Sequence, residues 1–153
     1  MRWSSLPGNL SAGSYRMTDC IFCKIVAKQM PAIVVHEDER TLGFMDIGQV
    51  NPGHVLVALK AHAENLYALD EVQAGAVLSA AARLARAIRE AFGPQGLSVY
   101  QANGTAAGQT VFHFHIHLIP RYDGDDVALS WPRTNPPREK LEEYGAKIRA
   151  RLA

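Results

Sequence analysis

The chain has 153 residues, a length that suits a single domain with its own hydrophobic core. Its formal net charge is +1 at pH 7, so it has neither the strong basic excess of nucleic-acid-binding proteins nor a polybasic membrane patch. Hydrophobic residues make up 48% and charged residues 20%, as in ordinary globular proteins, and no apolar run approaches the roughly 20 residues needed to cross a bilayer.

Residues 1–17 are rich in Ser and Gly and have no hydrophobic periodicity. We predict a disordered N-terminal extension, or an upstream start ahead of a true start at Met17. An organelle transit peptide is a further alternative, but the segment is too short and too weakly amphipathic to favour it. Cys20 and Cys23 are too close in sequence to staple distant parts of a fold, and no secretory apolar region precedes them. These features predict a cytoplasmic location.

The next stretch predicts a short helix and a β-hairpin. Asp19 can cap the N-terminus of a helix over about residues 20–28, which Pro31 ends. Residues 33–36 and 41–46 flank an acidic turn and predict the two strands of the hairpin.

A third strand and one long helix follow. The turn-forming sequence Asn51-Pro52-Gly53 precedes a predicted strand over residues 54–60. Asp70, with Gln73 three residues later, resembles a capping box that opens a helix ending at Gly93-Pro94. We expect this helix to face the core with a stripe formed by Leu78, Ala81, Ala82, Ala85 and Ile88.

Two further strands are predicted at residues 97–102 and 111–119, on either side of a glycine-rich loop. Residues 126–153 then predict an irregular segment and a charged, exposed helix over residues 138–152. The expected fold is therefore an α+β domain over residues 18–125, with a mostly antiparallel sheet of about five strands and one long helix.

Three histidines occupy every second position of the apolar run 111–119. Because side chains alternate between the faces of a strand, one face would carry Val111, His113, His115, His117 and Ile119. The other would be a core stripe of Phe112, Phe114, Ile116 and Leu118. A lone buried histidine is usually a satisfied core residue, but three in alternation are poor core fillers whose nitrogens all need partners. The pattern predicts a functional face.

Two kinds of chemistry could use this face. A zinc ion held by all three imidazoles is disfavoured, because the outer pair would lie about 13 Å apart along a strand. Covalent catalysis is favoured, since neutral imidazole, with a reference pKa of about 6.5, is a good nucleophile. The small residues from Gly104 to Thr110 would let backbone N–H groups approach a phosphate. A plain hairpin connection is the alternative, and the junction with the histidines favours function.

The segment His113-Phe114-His115-Ile116-His117-Leu118-Ile119 resembles the signature of the histidine-triad (HIT) family, His-φ-His-φ-His-φ-φ with φ apolar. The resemblance runs from about Asp19 to Arg121 and includes CIFCKI, FMDI, PGHVLVALKAH and NGTAAGQTVFHFHIHLIPR. It points to the prokaryotic HIT proteins and the histidine-triad nucleotide-binding (Hint) group, and it implies a HIT domain over residues 18–125. The uridylyltransferase branch has Gln where this chain has His117, which favours hydrolysis.

The resemblance implies catalytic roles. His115 would be the nucleophile that attacks the α-phosphorus of a nucleotide and carries a covalent nucleotidyl intermediate. His117, Gln109 and Thr110 would contact phosphate oxygens and the leaving group. His54 would be a partner that helps to fix the protonation of the triad.

The resemblance also implies a nucleotide-binding site. Asp46 would accept the two ribose hydroxyls, since a carboxylate has two oxygens for a vicinal diol. Asn103 and Gly108 would lie beside the phosphate. An apolar slot for the base would be lined by Phe22, Ile25, Phe44 and Ile47, each of which could equally be a core residue.

The Cys20-x-x-Cys23 pair has several interpretations. Two cysteines alone indicate zinc only weakly, and a redox pair would need a thioredoxin-like βαβ context, which the predicted elements lack. The resemblance implies a structural zinc ion held by Cys20, Cys23, His62 and His113, a closed Cys2His2 set. Reduced, buried thiols are the alternative. No motif residue calls for Mg2+.

Taken together, the resemblance implies a nucleoside phosphoramidase or nucleotidyl hydrolase that cleaves P–N or P–O bonds of purine nucleotide derivatives and releases a nucleoside monophosphate. Hydrolysis of dinucleoside polyphosphates is one alternative, because Pro120-Arg121 also follows the triad in that branch. A nucleotide-binding regulatory protein with incidental catalysis is another. The resemblance further implies a homodimer in which the C-terminal segment reaches the partner's site. Trp131 is the candidate for this contact, with packing on its own subunit as the alternative.

Overall fold

A computed structural model gives the structure of residues 19–128 and 130–152, so the predicted N-terminal extension, residues 1–17, lies outside the described residues. Short 3-10 turns at Leu66–Ala68 and Thr105–Ala107 lie before the long helix and after the fourth strand. The helices and strands, in chain order, are α1 (Ile21–Val26), β1 (Val34–Glu37), β2 (Thr41–Met45), β3 (Val55–Leu59), α2 (Glu71–Phe92), β4 (Gly96–Tyr100), β5 (His115–Arg121) and α3 (Arg138–Arg149).

The five strands form one antiparallel sheet with the order β1-β2-β3-β5-β4, which confirms the predicted α+β fold with one long helix. On one face, α2 lies across β2, β3 and β5, and its Val77 and Leu84 share a buried cluster with Val57 and Leu118. No helix in residues 19–128 and 130–152 is long and apolar enough to cross a membrane.

The opposite face of the sheet is covered by α1. Phe22 of α1 packs with Phe44 of β2 and with Leu56 and Ala58 of β3 in a second buried cluster. Alternation along β3 and β5 puts Leu56, Ala58 and the histidines of β5 on this side. The triad therefore faces α1 rather than α2.

The ends of α2 agree with the prediction, but its buried face does not. Asp70 and Gln73 form the capping box, and Gly93 ends the helix in the left-handed region at φ 58°. The predicted stripe is wrong at Leu78 and Ala82, which are exposed, Leu78 by 62%, and Ala85 is half-buried. The alanine-rich pattern has little apolar contrast, so the larger Val and Leu side chains decide which face meets the sheet. The buried residues are Val77, Ala80, Ala81, Leu84 and Ile88.

Two element starts also differ from the prediction. Cys20, rather than Asp19, caps α1, because its Sγ accepts the Cys23 N–H. The fifth strand begins at His115 instead of residue 111. Ahead of it, Phe114 donates its N–H to the Ala63 carbonyl in the turn after β3 and accepts the Leu59 N–H of β3.

Strand register brings the polar candidates to neighbouring positions. Met45 of β2 pairs with Val55 of β3, so Asp46 and His54 lie next to each other just beyond these strands. Leu56 of β3 in turn pairs with His117 of β5. Residues that are far apart in sequence thus converge on one end of the sheet.

Candidate active site

The four predicted metal ligands lie together between α1 and the ends of β3 and β5. Their ligand atoms are all within 4.8 Å of one another. His113 Nδ1 lies 3.4 Å from Cys20 Sγ, 3.5 Å from Cys23 Sγ and 3.3 Å from His62 Nδ1. Nitrogen and sulfur ligands about 2.0–2.3 Å from one tetrahedral zinc ion would be about 3.3–3.8 Å apart. The arrangement fits a closed Cys2His2 zinc site.

Hydrogen bonding also prepares His113 as a ligand. Its Nε2 lies 2.6 Å from the Leu59 carbonyl, so Nε2–H donates there and the Nδ1 lone pair faces the cysteines. Burial lowers the pKa of His113 to about 4. Burial and the neighbouring Cys20 sulfur raise the pKa of the Cys23 thiol to about 11. A dication would oppose this last effect, because thiolate is the form that binds metal.

His115 has one ring nitrogen tied to the backbone. Its Nδ1 lies 2.7 Å from the His113 carbonyl, so Nδ1–H donates to that oxygen and Nε2 carries the lone pair. The ring meets the edge of Phe22 at a centroid distance of 5.0 Å, and Ala58 is its pairing partner in β3. Burial lowers the pKa of His115. The residue is therefore a neutral imidazole whose Nε2 can act as a nucleophile.

Asp46, His54 and His117, which we call the Asp–His–His trio, lie beside His115. His54 Nε2 is 2.9 Å from His117 Nδ1, and Asp46 Oδ2 is 3.4 Å from the first nitrogen and 3.6 Å from the second. The Val50 N–H donates to His54 Nδ1 at 3.3 Å. His54 therefore carries its proton on Nε2 and donates it to His117 Nδ1, which leaves an N–H on His117 Nε2.

The trio's histidines are neutral near pH 7. Burial lowers the pKa of His54, against the opposing effect of Asp46. Burial, reinforced by the neighbouring His115 and His54, lowers the pKa of His117 to about 4. The site thus combines uncharged imidazoles with the single carboxylate of Asp46.

Gln109 closes the glycine-rich loop instead of facing its open side. Its Oε1 accepts the Gly104 N–H at 2.7 Å, and its Nε2 donates to the carbonyls of Glu64 and Val111 at 2.7 and 3.1 Å. The residue is only 4% exposed. This corrects the expectation of a direct phosphate contact through the Gln109 side chain. Gln109 instead positions the exposed Thr110 that follows it.

The other two predicted phosphate-loop residues also shape the backbone. Asn103 Oδ1 accepts the Leu66 N–H at 2.8 Å, and its amide forms a reciprocal pair with Gln101. Gly108 has φ 88°, a left-handed conformation that favours glycine. Both residues hold the loop in place next to the triad.

The four residues predicted to line a base slot do not lie on one surface. Phe22 and Phe44 are 7% and 4% exposed and pack edge to face, and Ile25 packs against the same cluster. Phe22 and Phe44 are core residues, and Ile25 is half-buried beside them. Ile47, by contrast, is fully exposed and, with Asp46, lines an open and mostly apolar groove of about 810 Å³. Of the four predicted residues, Ile47 alone lines this groove.

Two supporting residues were not predicted. Tyr100 pairs with His117 in the sheet and donates its hydroxyl to the Ala107 carbonyl at 3.0 Å. Gln49 accepts the His54 N–H at 3.0 Å and donates to the His54 carbonyl at 2.8 Å. Correct strand register would have revealed Tyr100, whereas nothing in the sequence distinguishes Gln49 from an ordinary turn residue.

The segment after β5 is held to the sheet at its start, and a large side chain further along it is exposed. Asp125 accepts from Arg121 Nε at 2.8 Å and from Asn51 Nδ2 at 2.9 Å, which ties this segment to the turn before β3. Trp131 is 68% exposed, so it is not buried in its own subunit.

Comparisons with known proteins agree with this geometry. The HIT domain family profile matches residues 27–124. A crystal structure of a HIT family member from Bacillus subtilis is 44% identical with a TM-score of 0.84, over 88% of this chain and 98% of that one. Adenosine 5'-monophosphoramidase hnt1 of Schizosaccharomyces pombe is 32% identical over 87% of this chain and 98% of its own. A zinc-bound histidine triad family protein from Mycobacterium smegmatis is 35% identical with a TM-score of 0.70, over 88% and 99%. The chain belongs to the HIT family.

Proposed function

We propose that this protein is a nucleoside phosphoramidase, a nucleotide hydrolase that cleaves at the α-phosphorus of purine nucleotide derivatives and releases a nucleoside monophosphate. The main support for this proposal is the position of the proton on the neutral His115 ring. Its Nδ1–H is held by the His113 carbonyl at 2.7 Å, so Nε2 keeps the lone pair that attack on phosphorus requires.

The reaction would proceed in two steps. His115 Nε2 forms a bond to the α-phosphorus, while the bond to the leaving group breaks and its electron pair departs with that group. Water then attacks the same phosphorus, and the electron pair of the P–N bond returns to His115. The proton that water releases balances the proton that the leaving group takes up in the first step. His117 Nε2–H and Thr110 would donate hydrogen bonds to the phosphoryl oxygens in both steps. His54, 2.9 Å from His117 Nδ1, keeps that N–H on the opposite nitrogen.

The nucleoside would lie along the open groove. Asp46 Oδ1 accepts the Gly48 N–H at 2.8 Å, which orients the carboxylate, and its remaining lone pairs would accept the ribose hydroxyls. The base would pack on the exposed Ile47. The name of the Schizosaccharomyces pombe relative, an adenosine 5'-monophosphoramidase, supports a phosphoramidate substrate.

We propose a structural role for zinc at Cys20, Cys23, His62 and His113. Separations of 3.3–3.5 Å between four pairs of their ligand atoms support one tetrahedral ion, as does the zinc-bound Mycobacterium smegmatis relative. When bound, the ion would cross-link α1 to the segment that leads into β5. We expect no Mg2+ requirement.

We also propose a homodimer. β4 is an edge strand, and its Val99 and Tyr100 are 57% and 42% exposed. An exposed edge with apolar side chains can pair with another strand, so two sheets would join at β4. The exposed Trp131 would then reach the partner's site. A cytoplasmic location, and partners that include neither nucleic acid nor membrane, remain predictions from composition.

Replacement of the nucleophile tests the proposed reaction. His115→Asn should lower kcat on an adenosine 5'-phosphoramidate by at least about a thousandfold and leave binding of adenosine monophosphate nearly unchanged. His36→Asn is the matched control, because His36 lies in β1 and pairs with Asp38 at 3.1 Å. Acid-sensitive, base-stable nucleotidyl label should be trapped on His115 in the wild type.

Three outcomes would change the assignment. Wild-type turnover in His115→Asn, or a label on another residue, would contradict the mechanism. A higher kcat/KM on a dinucleoside polyphosphate in side-by-side assays would favour that substrate class. Nucleotide binding without turnover in the wild type would favour a regulatory binding protein.

A further inference from the structure

The Asp–His–His trio has the donor atoms and spacing of a metal site separate from the Cys/His cluster. Its three ligand atoms lie within 4.8 Å of one another, with separations of 2.9, 3.4 and 3.6 Å. Two ligand atoms about 2.1 Å from one ion lie about 3.0–3.5 Å apart at angles between 90° and 110°. Shifts of a few tenths of an ångström would let all three contact one ion.

His54 can turn a lone pair toward such an ion. Its Nδ1 now accepts from the Val50 N–H at 3.3 Å, and the backbone of Gly48 in the same turn acts to raise the pKa of the ring, as a nearby acceptor does. With the proton moved to Nδ1, the ring would donate to Gly48, and the Nε2 lone pair would face Asp46 and His117. A backbone carbonyl behind a ligating imidazole is the usual support for metal binding.

Exposure and donor type indicate which ion would bind. His54 is 2% exposed, whereas the side chains of Asp46 and His117 are 18% and 23% exposed, so further coordination positions face the open side. Mg2+ and Ca2+ prefer oxygen ligands. Two imidazoles and one carboxylate suit Zn2+, Co2+ or Ni2+, and they are also the ligands of open catalytic zinc sites.

We propose that Asp46, His54 and His117 bind a divalent transition-metal ion of the Zn2+ class, and that this ion inhibits hydrolysis. An ion on this trio would replace the hydrogen bond between His54 and His117. It would also occupy the carboxylate that would otherwise accept the ribose, so it should compete with the nucleotide. The inhibitory effect rests on the proposed function, whereas binding of the ion does not.

Titration with Co2+ tests binding without any substrate. Protein that already holds one equivalent of Zn2+ should bind a further Co2+ with visible d–d bands and without the near-ultraviolet charge-transfer band that cysteine ligands produce. Asp46→Asn and His117→Gln should each weaken this binding at least about tenfold. His36→Gln is the matched control, because it removes a histidine paired with an aspartate at 3.1 Å outside the trio and should change nothing.

Several results of the titration and of the activity assay would contradict the proposal. Absence of the added d–d bands, a cysteine charge-transfer band, or unchanged binding in both trio variants would overturn the site. Circular dichroism checks the fold of each variant, and either folded trio variant suffices for the comparison. In the activity assay, Zn2+ beyond the first equivalent should raise the KM for the phosphoramidate, and an unchanged KM would refute the inhibitory role. If the protein has no hydrolase activity, the Co2+ titration still decides whether the site exists.

Discussion

Hydrolysis should continue to a lower pH than it would if the catalytic histidines had ordinary pKa values. Burial lowers the pKa of His115, and it lowers the pKa of His117 from 6.5 to about 4. The neutral forms of both rings are the active ones in the proposed mechanism. Activity should therefore be complete above the usual histidine range and decline only as the pH falls toward the lowered pKa values.

The size of the effect follows from the His117 pKa. At pH 5 a group with a pKa of about 4 is about 90% neutral, whereas a group with a pKa of about 6.5 is about 3% neutral. His117 thus predicts a rate at pH 5 that is about 30-fold higher than an unperturbed histidine would permit.

The assay is kcat/KM for an adenosine 5'-phosphoramidate between pH 4.5 and 8, because this ratio reports ionisations of the free enzyme. Non-enzymatic hydrolysis is subtracted at each pH, and no metal is added. Between about pH 6.5 and 4 the folded state binds fewer protons than the unfolded state, so stability also falls as the pH decreases through this range. Circular dichroism must therefore confirm folding at each point. An acid limb near pH 6.5 in folded protein would refute the reasoning.

Two further predictions concern the metal and the assembly. Metal analysis should find about one zinc per chain before any is added, and the double variant Cys20→Ser/Cys23→Ser should lose it and melt at a lower temperature while it keeps most activity in the cold. Loss of chemistry in a folded, zinc-free variant would instead make that ion catalytic. Light scattering at micromolar concentration should show a dimer, and Val99→Lys on β4 should shift it toward monomer, while Val35→Lys on the other edge strand should not. A monomeric wild type would contradict the proposed interface.

Local rules explain why much of the fold could be predicted. A capping box and a terminal glycine depend on residues within one turn, so the ends of α2 could be predicted from Asp70, Gln73 and Gly93 alone. Alternation along β5 likewise depends only on backbone geometry, and Ile116 and Leu118 are buried as expected.

Features that depend on tertiary contacts could not be predicted in the same way. The buried face of α2 is set by how Val77 and Leu84 fit the sheet. Gln109 is polar and lies next to Thr110 in sequence, yet Gln109 is buried with its side chain hydrogen-bonded to backbone groups, whereas Thr110 is exposed. Phe22 and Ile47 are both apolar candidates for a base slot, and only the path of the backbone separates a core residue from a groove residue.

The three histidines of the triad also differ because of their surroundings, although their side chains are identical. His113 gives its Nε2–H to the Leu59 carbonyl and turns Nδ1 toward the cysteines. His115 gives its Nδ1–H to the His113 carbonyl and keeps the lone pair on Nε2. The Nδ1 of His117 is engaged by His54 instead. Because imidazole has two distinct nitrogens, the hydrogen-bond partner behind each ring decides whether it is suited to bind metal, attack phosphorus or donate a proton. The Leu59 carbonyl and the His54 ring are brought to the triad by β3 and the turn before it, so the roles of His113 and His117 are set only once the sheet has formed.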